Sequence, residues 1–409
     1  MFDETDGKTT PEKDPAPAGE KLTIDLTELE SPEESRFQRF SLIGWWDQEK
    51  LRNAKVLVVG AGALGNEIVK NLALLGIGNI LIADLDRIEN SNLSRSVLYR
   101  KEDNGASKAE TAARSAKEIY PEMNVRAFHG NVLHDFGAGV YHWADVVLGG
   151  LDNREARLSI NRNCLKLNKP WIDGAIEQIS GVARVFEPDG PCYECTMSEM
   201  DWVLLNKRRS CNLLTRSEME LGKTPTTPTI SSIIAGVQCQ EAVKLLHGME
   251  TIAGKGFVFN GISADSYLIE YQRKEDCWSH DTADRVISLE RSVRDMTVRE
   301  LLETARKDLG TSVQLEFNQE ILEKMTCAPC GEETEAFIPF GKATAENAIC
   351  PKCGKNRILK TFFTVTGEET WLDRTLKQCG LPFFDIVWAR TESELIGYEM
   401  SADRVEYGL

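Results

Sequence analysis

Three glycines follow a short apolar run in the sequence VLVVGAGALGNEIVKNL, which begins at Val56. Gly60, Gly62 and Gly65 form the pattern G-x-G-x-x-G between a predicted strand and a predicted helix. Glycine lets backbone N–H groups approach phosphate, and the helix N-terminus adds partial positive charge. Asp84 ends the next apolar run, nineteen residues past Gly65, where a carboxylate accepts hydrogen bonds from ribose hydroxyls. The pattern predicts a nucleotide site and suits NAD and ATP equally.

Polar residues after the second strand favour ATP over NAD. Asn92 and Arg95 lie just beyond the ribose carboxylate, and Lys108 follows thirteen residues after Arg95. Two fixed cations suit a triphosphate, because they neutralise the charge that moves onto departing pyrophosphate. Asp152 follows another apolar strand, where a carboxylate can hold Mg²⁺. Together with Arg39 upstream, these residues predict an ATP site.

Two cysteine pairs near the end of the chain have the spacing of a zinc ribbon. Cys327 and Cys330, and Cys350 and Cys353, form C-x-x-C pairs, each followed by glycine, with nineteen residues between the pairs. Such small loops have too little core to fold alone and take their stability from the metal. Since four protein ligands leave no open position, the pattern predicts a structural Zn²⁺ site.

The elements that position these residues alternate along most of the chain. Between about residues 36 and 288, short apolar runs alternate with helical patterns, which predicts a Rossmann-like, doubly wound, mostly parallel α/β sheet. Residues 1–35 have the composition of a disordered acidic tail. Residues 289–409 read as a smaller C-terminal α+β domain that carries the zinc ribbon at about 325–356.

Composition narrows the classes of partner. The 409 residues carry a net charge of −16, which argues against binding to nucleic acid or to anionic membranes. The sequence contains no apolar run of membrane-spanning length. The first residues lack the basic start and apolar stretch of a signal peptide, so we expect a cytoplasmic protein.

From Arg36 to about His280 the sequence resembles the ubiquitin-activating enzyme superfamily, which includes the ThiF and MoeB adenylyltransferases. The matching pieces, in family order, are R-F-x-R, G-A-G-A-L-G, D-L-D, S-N-L-x-R, S-K-A-E, L-D-N, C-Y-E-C-T and I-I-A-G-V-Q-x-Q-E-A-V-K-L-L. The resemblance implies an acyl-adenylate between ATP and the C-terminal glycine carboxylate of a ubiquitin-like protein. It also implies a homodimer in which Arg39 reaches the ATP of the neighbouring subunit.

By position, the resemblance assigns roles to the site residues. Asp84 would bind ribose, Asp152 would hold Mg²⁺, and the phosphates would contact Asn92, Arg95 and Lys108. The family closes a zinc site on a C-x-x-C pair, here Cys192 and Cys195, with a second pair after the long helix. In this chain the corresponding residues are Cys277 and His280, and three thiolates with one imidazole still suit tetrahedral zinc. A metal-free arrangement of these four residues remains an alternative.

Cys211 lies in the segment, about residues 196–228, where the resemblance places the cysteine that carries the modifier as a thioester. Lys207, Arg208 and Arg209 precede it and would favour the nucleophilic thiolate. The alternative is a loop cysteine without a role. Both ends of the C-terminal part resemble the ubiquitin-fold domain that recruits a conjugating enzyme, although the zinc ribbon between them does not belong to that domain.

Three functions follow from these observations. The first is a compact activating enzyme for a ubiquitin-like protein, of the kind that also occurs in bacterial operons for antiphage conjugation. The second is a sulfur-carrier adenylyltransferase like ThiF or MoeB, against which the C-terminal extension argues. The third is an NAD-dependent oxidoreductase, which Arg95, Lys108 and the lack of a recognisable hydride-transfer site disfavour.

Overall fold

The computed structural model describes residues 36–203 and 225–409. The chain divides into two compact units, Met1–Gly44 and Trp45–Leu409. In the described part of the first unit, a 3₁₀ turn spans Phe40–Leu42 and directly follows Arg39, which is exposed.

The described residues of the second unit form two β-sheets. The strands of the first sheet are β1 Lys55–Val59, β2 Asn79–Asp84, β3 Asn124–His129, β4 Val146–Gly149, β5 Trp171–Glu177, β6 Ser180–Phe186, β7 Lys255–Asn260 and β8 Asp265–Glu270. The helices around it are α1 Gln48–Asn53, α2 Ala63–Leu75, α3 Lys108–Ile119, α4 Gly139–Trp143, α5 Arg154–Lys166, α6 Tyr193–Thr196 and α7 Pro228–His247.

The first sheet has the strand order β3-β2-β1-β4-β5-β6-β7-β8. The strands from β3 to β5 are parallel, and those from β5 to β8 are antiparallel. Chain order reverses between β1 and β4, and ligands of such sheets bind outside the carboxyl ends of the strands at this switch point. The fold is therefore the predicted Rossmann-like, mostly parallel arrangement.

Local sequence explains where the helices that flank the sheet begin and end. Helix α7 has Pro228 in its first turn and ends at Gly248, whose φ of +71° is the left-handed conformation that glycine adopts at low cost. Gly76 ends α2 in the same way, with a φ of +76°. Helix α7 packs against α2 and against β5 and β6, whereas α4 packs against β1 and α5.

The second sheet is built from residues after the first. Its elements are β9 Arg285–Leu289, α8 Val298–Leu309, β10 Gln314–Thr326, β11 Glu333–Pro339, β12 Ile358–Val365, β13 Ile386–Arg390, β14 Leu395–Met400 and a 3₁₀ helix Ser401–Tyr407. The strand order is β11-β10-β13-β14-β9, with β12 also paired to β10. Strand β9 lies parallel to β14. Strand β9 of the second sheet thus crosses the predicted boundary between residues 288 and 289.

The two sheets share a hydrophobic core. Phe384, Trp388 and Tyr407 from the second part of the chain belong to the same buried cluster as Leu57 and Leu81 of the first sheet. Backbone contacts support this packing, since the Gly139 N–H donates to the Phe384 carbonyl at 2.9 Å. Within the described residues, no helix combines the length and apolarity that crossing a bilayer requires.

Candidate nucleotide site and metal clusters

The glycine loop connects β1 to α2 at the switch point of the first sheet. Gly60 has a φ of +94°, and a Cβ atom there would lie 2.5 Å from the Gly150 carbonyl oxygen. A Cβ at Gly65 would lie 1.9 Å from the Gly60 carbonyl oxygen, so both positions exclude a side chain. A Cβ at Gly62 would meet no protein atom within 4 Å, which leaves room for a ligand at the first turn of α2. The loop has the form of an anion site at a helix N-terminus.

Asp84 lies at the carboxyl end of β2, next to the glycine loop. Its Oδ2 atom accepts a hydrogen bond from the Ala61 N–H at 2.6 Å, and Oδ1 accepts one from the Asp86 N–H at 2.7 Å. Burial raises the pKa of Asp84, while the nearby Lys108 and the two N–H donors act in the opposite direction. The carboxyl group is thus fixed beside the loop, where the sequence predicted a ribose contact.

Lys108 is the first residue of α3 and reaches the same end of the sheet. Its Nζ atom lies 2.7 Å from Asp86 Oδ2, and its N–H donates to the Asp86 carbonyl at 3.0 Å. The structure therefore places the Lys108 ammonium, which was predicted to contact phosphate, beside Asp86, two residues after Asp84.

Asn92 and Arg95 belong to a turn that follows β2. The Asn92 Oδ1 atom accepts a hydrogen bond from the Glu89 N–H at 3.0 Å, so this side chain stabilises the turn. Arg95 donates from its guanidinium to the Ser91 carbonyl at 2.8 Å. A phosphate contact by either residue stays a prediction.

Asp152 follows β4 by three residues and is exposed. It lies two residues after Gly150, which contacts the glycine loop. A solvent-facing carboxylate at this edge has the donor chemistry that Mg²⁺ prefers. Arg39 belongs to the other unit, and its predicted contact across a dimer stays a prediction.

Two residues that support the glycine loop were not predicted. Asn66 donates from Nδ2 to the Ala61 carbonyl at 2.7 Å and accepts at Oδ1 from the Leu98 N–H at 2.9 Å. The Tyr99 hydroxyl donates to the same Ala61 carbonyl at 2.6 Å. The signal for Asn66 was an amide among the apolar residues of α2, where a buried polar group requires partners.

The structure brings together Cys192, Cys195, Cys277 and His280. The Cys192 sulfur lies 3.7 Å from that of Cys195 and 3.6 Å from that of Cys277, and the Cys195 sulfur lies 3.3 Å from His280 Nε2. Tetrahedral zinc with bonds of about 2.3 Å to sulfur places ligand atoms roughly 3.5–3.8 Å apart. The four residues fit zinc, and the unusual histidine takes its predicted place.

The second cluster contains Cys327, Cys330, Cys350 and Cys353. Its sulfur atoms are 3.4 Å apart for Cys327 and Cys353, and 3.6 Å for Cys330 and Cys350. Gly331 and Gly354, which follow the two pairs, have φ values of +72° and +68°. Each donates its backbone N–H to the carbonyl oxygen of the first cysteine of its pair. Two matching knuckles with these spacings fit a zinc ribbon.

Cys211, with Lys207, Arg208 and Arg209, lies outside the described residues. The residues on either side of the gap attach near the ends of β4 and β5. Asp201 forms an ion pair with Arg154, two residues after Asp152, with an N–O distance of 2.9 Å. The Gln178 N–H, directly after β5, donates to the Pro225 carbonyl at 2.7 Å. Both described flanks therefore lie at the edge of the sheet that carries the glycine loop.

The described cysteines outside the clusters are Cys164, Cys239 and Cys379, and all three are buried. Burial raises the pKa of the Cys239 and Cys379 thiols to about 12 and also raises that of Cys164. At neutral pH these thiols stay protonated, and the thiol is a poor nucleophile compared with the thiolate. They are core residues.

A doubly wound sheet with a glycine loop at its switch point defines a nucleotide-binding α/β protein. The family model described as ThiF family matches residues 34–279, which is more than half of the sequence. The chain belongs to the ThiF family, and the predicted resemblance is confirmed.

The chain is similar in sequence to two enzymes and in fold to a third. The SAMP-activating enzyme E1 of Haloferax volcanii is 30% identical over 270 residues, which cover 63% of this chain and 90% of that enzyme. The sulfur carrier protein adenylyltransferase of Thermus thermophilus is 30% identical over 242 residues, covering 58% and 85%. The fold is similar to that of E. coli MccB crystallised with ATP, with a TM-score of 0.51 at 24% identity over 61% of this chain and 75% of that chain. The match to the longer SUMO-activating enzyme subunit 2 of Dictyostelium discoideum covers only 22% of the length of that protein.

Proposed function

We propose that the protein is an ATP-dependent activating enzyme that adenylates the C-terminal glycine carboxylate of a ubiquitin-like protein and then takes it as a thioester on Cys211. The observation that carries the proposal is the convergence of the glycine loop, Asp84 and Lys108 at the switch point. Membership of the ThiF family supports ATP as the substrate. The likeness to the SAMP-activating enzyme over most of that enzyme's length supports the activating role.

In the first step, a carboxylate oxygen of the modifier attacks the α-phosphorus of ATP, and the bond to the bridging oxygen of the β-phosphate breaks. The N–H groups at the start of α2 hold phosphate, and Asp84 accepts from ribose. Lys108 and Arg95, with Asn92 beside them, stabilise the charge on the departing pyrophosphate. Asp152 would hold Mg²⁺, whose charge would further neutralise the phosphates.

In the second step, the Cys211 thiolate attacks the acyl carbon, a carbon–sulfur bond forms, and AMP leaves. Two observations support Cys211 as the carrier. The described flanks of its segment attach at the carboxyl edge of the sheet, one through Arg154, two residues after Asp152, and the other through Gln178 after β5. The ten described cysteines either belong to the two metal clusters or are buried as thiols.

The partners follow from the same proposal. The modifier is a ubiquitin-like protein with a C-terminal glycine, and the acceptor of its thioester is a conjugating enzyme that docks on the C-terminal sheet. The active form is a homodimer in which Arg39 serves the neighbouring ATP site. We place the enzyme in the cytoplasm, and an antiphage conjugation system is a biological context that suits a compact activator with this C-terminal extension.

The test is an assay of ATP–pyrophosphate exchange in the presence of candidate ubiquitin-like proteins encoded nearby. We expect exchange that depends on both ATP and the modifier, together with a modifier adduct that thiols remove. An oxidoreductase would instead bind NAD in preference to ATP, so competition between the two nucleotides in a binding assay separates these classes. Tight NAD binding without ATP binding would refute the proposal.

A sulfur-carrier adenylyltransferase is the second candidate, and the likeness to the Thermus thermophilus enzyme favours it. Both candidates perform the same adenylation. They differ in the fate of the acyl group, because only an activating enzyme passes its thioester to a second protein's cysteine. Transfer of a labelled modifier from Cys211 to a conjugating enzyme would decide between them.

A further inference from the structure

A buried ion cluster lies beneath the loop that carries Asp152. The Asp173 side chain, on β5, is fully buried and accepts hydrogen bonds from two guanidinium groups. Arg157 of α5 donates from Nε to Oδ1 at 2.8 Å, and Arg184 of β6 donates from Nε to Oδ2 at 3.0 Å. A fully buried carboxylate requires such partners, since an unpaired charge in the protein interior is costly.

Arg157 makes contacts beyond Asp173 that Arg184 does not share. Its Nη2 atom donates to the Leu151 carbonyl and, at 3.0 Å, to the Gly174 carbonyl. The planar guanidinium therefore joins the middle of β5 to the loop after β4. A lysine at position 157 would keep the charge, but a single ammonium group could not reproduce this fork of donors.

The residues on both sides of Asp152 are fixed to the sheet or to α5. The Gly150 N–H donates to the Val59 carbonyl at 2.8 Å, and Arg157 holds the Leu151 carbonyl. Asn153 caps α5, because its Oδ1 atom accepts from the Ala156 N–H at 2.8 Å. Asp152 lies between these anchored residues and is exposed. The loop thus presents one carboxylate to solvent from an otherwise anchored backbone.

We propose that Arg157 is a positioning residue, which uses Asp173 as its anchor and the Leu151 carbonyl as its contact to fix the loop that presents Asp152 at the nucleotide edge. The catalytic part of this inference rests on the proposed function. The guanidinium acts through the backbone and does not contact substrate. Misplacement of a reacting or metal-binding group by about 1 Å costs on the order of a hundredfold in rate, so the loss of this contact should slow the reaction.

The experiment compares Arg157→Lys with Arg184→Lys. Both variants keep the net charge and disturb the same buried carboxylate, but only the first loses the contact to Leu151. For each full-length protein, modifier-dependent ATP–pyrophosphate exchange is measured over a series of Mg²⁺ concentrations, with the unfolding midpoint in urea. Crystal structures of both variants supply a readout independent of activity.

We expect Arg157→Lys to lower exchange at least ~10-fold and to raise the Mg²⁺ concentration for half-maximal rate, whereas Arg184→Lys stays within about threefold of the wild type. In the crystal structures, the Leu151 carbonyl and Asp152 move only in Arg157→Lys. Equal losses in the two variants, or an unmoved loop in Arg157→Lys, would overturn the proposal. If the wild-type protein shows no exchange, the proposed function fails, and the position of the loop in the two structures still decides the role of Arg157.

Discussion

The ammonium group of Lys108 lies 2.7 Å from the Asp86 carboxylate, two residues past the carboxyl group predicted to bind ribose. The Lys108 side chain is 11% exposed, whereas that of Asp86 is 53% exposed. An ion pair with one partner this open to water contributes little to stability. The ion pair holds the Lys108 ammonium at the site, but folding depends little on this pair. Mutation of Lys108 should therefore change activity more than stability.

Substitution of three of the four residues assigned to phosphate and Mg²⁺ should strongly slow adenylation without unfolding the protein. Lys108→Ala, Arg95→Ala and Asp152→Ala should each lower modifier-dependent ATP–pyrophosphate exchange at least ~10²-fold, because each removes a transition-state contact. Lys101→Ala, at an exposed lysine before α3, is the matched control and should leave exchange unchanged. Normal exchange in a folded Asp152→Ala variant would remove Asp152 from the site.

Arg39 should act on the ATP site of a neighbouring subunit. Arg39→Ala and Lys108→Ala homodimers should both be inactive, but a mixed dimer contains one site with both residues intact. The mixed dimer, obtained by co-expression with two different tags and purified through both, should therefore show partial exchange activity. Absence of rescue in heterodimers of proven composition would refute the shared site.

The two cysteine clusters should hold two zinc ions per chain, measured by elemental mass spectrometry. His280→Ala should lose one ion and Cys350→Ala the other. His280→Cys should retain both, since either donor suits tetrahedral zinc. One ion in the wild-type protein, unaffected by His280→Ala, would mean that the cluster at Cys192 is metal-free.

Cys211→Ala should separate adenylation from transfer. The variant should retain ATP–pyrophosphate exchange, because the acyl-adenylate forms without the cysteine, but it should form no thiol-sensitive adduct with the modifier. Cys211→Ser should trap an oxygen ester that resists thiols. If Cys211→Ala still forms the thiol-sensitive adduct on denaturing gels, another cysteine is the carrier.

Asp385 should make the junction between the two sheets sensitive to pH. Its Oδ1 atom accepts from the Ala138 N–H and from Asn318 Nδ2, both at 2.9 Å, and burial raises the pKa of Asp385 to about 6. Because this pKa lies above the unfolded value of about 3.9, the contribution to stability is complete below that value and is lost as pH rises through 6.

Asp385→Asn removes this titration while keeping an oxygen that accepts hydrogen bonds. Relative to the wild type, the variant should gain stability as pH rises from about 4 to above 6. Urea unfolding of both proteins at each pH measures the difference, in which contributions from other groups cancel. A difference that does not vary with pH would contradict the raised pKa.

Local signals in the sequence predicted most of the first sheet and the zinc ribbon, whereas the cluster of Cys192, Cys195, Cys277 and His280 was implied by the family resemblance. Pro228 and Gly248 marked the ends of α7, and Gly60 and Gly65 are glycines that close backbone contacts require. The cysteine spacings sufficed for the ribbon because its two knuckles are each formed by neighbouring residues. A structural feature can be predicted from the sequence when all the contacts that form it lie within one short segment.

Contacts between distant segments were not predictable in this way. Arg157, Asp173 and Arg184 form one cluster, but a single sequence does not reveal which charges meet in the interior. The pairing of β9 with β14 joins residues about 110 positions apart, and the predicted boundary between residues 288 and 289 therefore fell inside this strand. A charged residue within the apolar run WIDGAIE, at Asp173, was the available sign of a buried ion pair.

The shared core has a consequence for the order in which the protein folds during synthesis. Ribosomes release the first sheet long before Phe384, Trp388 and Tyr407, which complete its buried cluster. Until those residues emerge, part of one apolar face of the nascent sheet, beside α4 and α5, stays uncovered and open to chaperones or to aggregation. Native packing of the nucleotide-binding half is therefore a late event, and a premature stop codon after residue 380 would leave a nearly full-length chain with an unfinished interior.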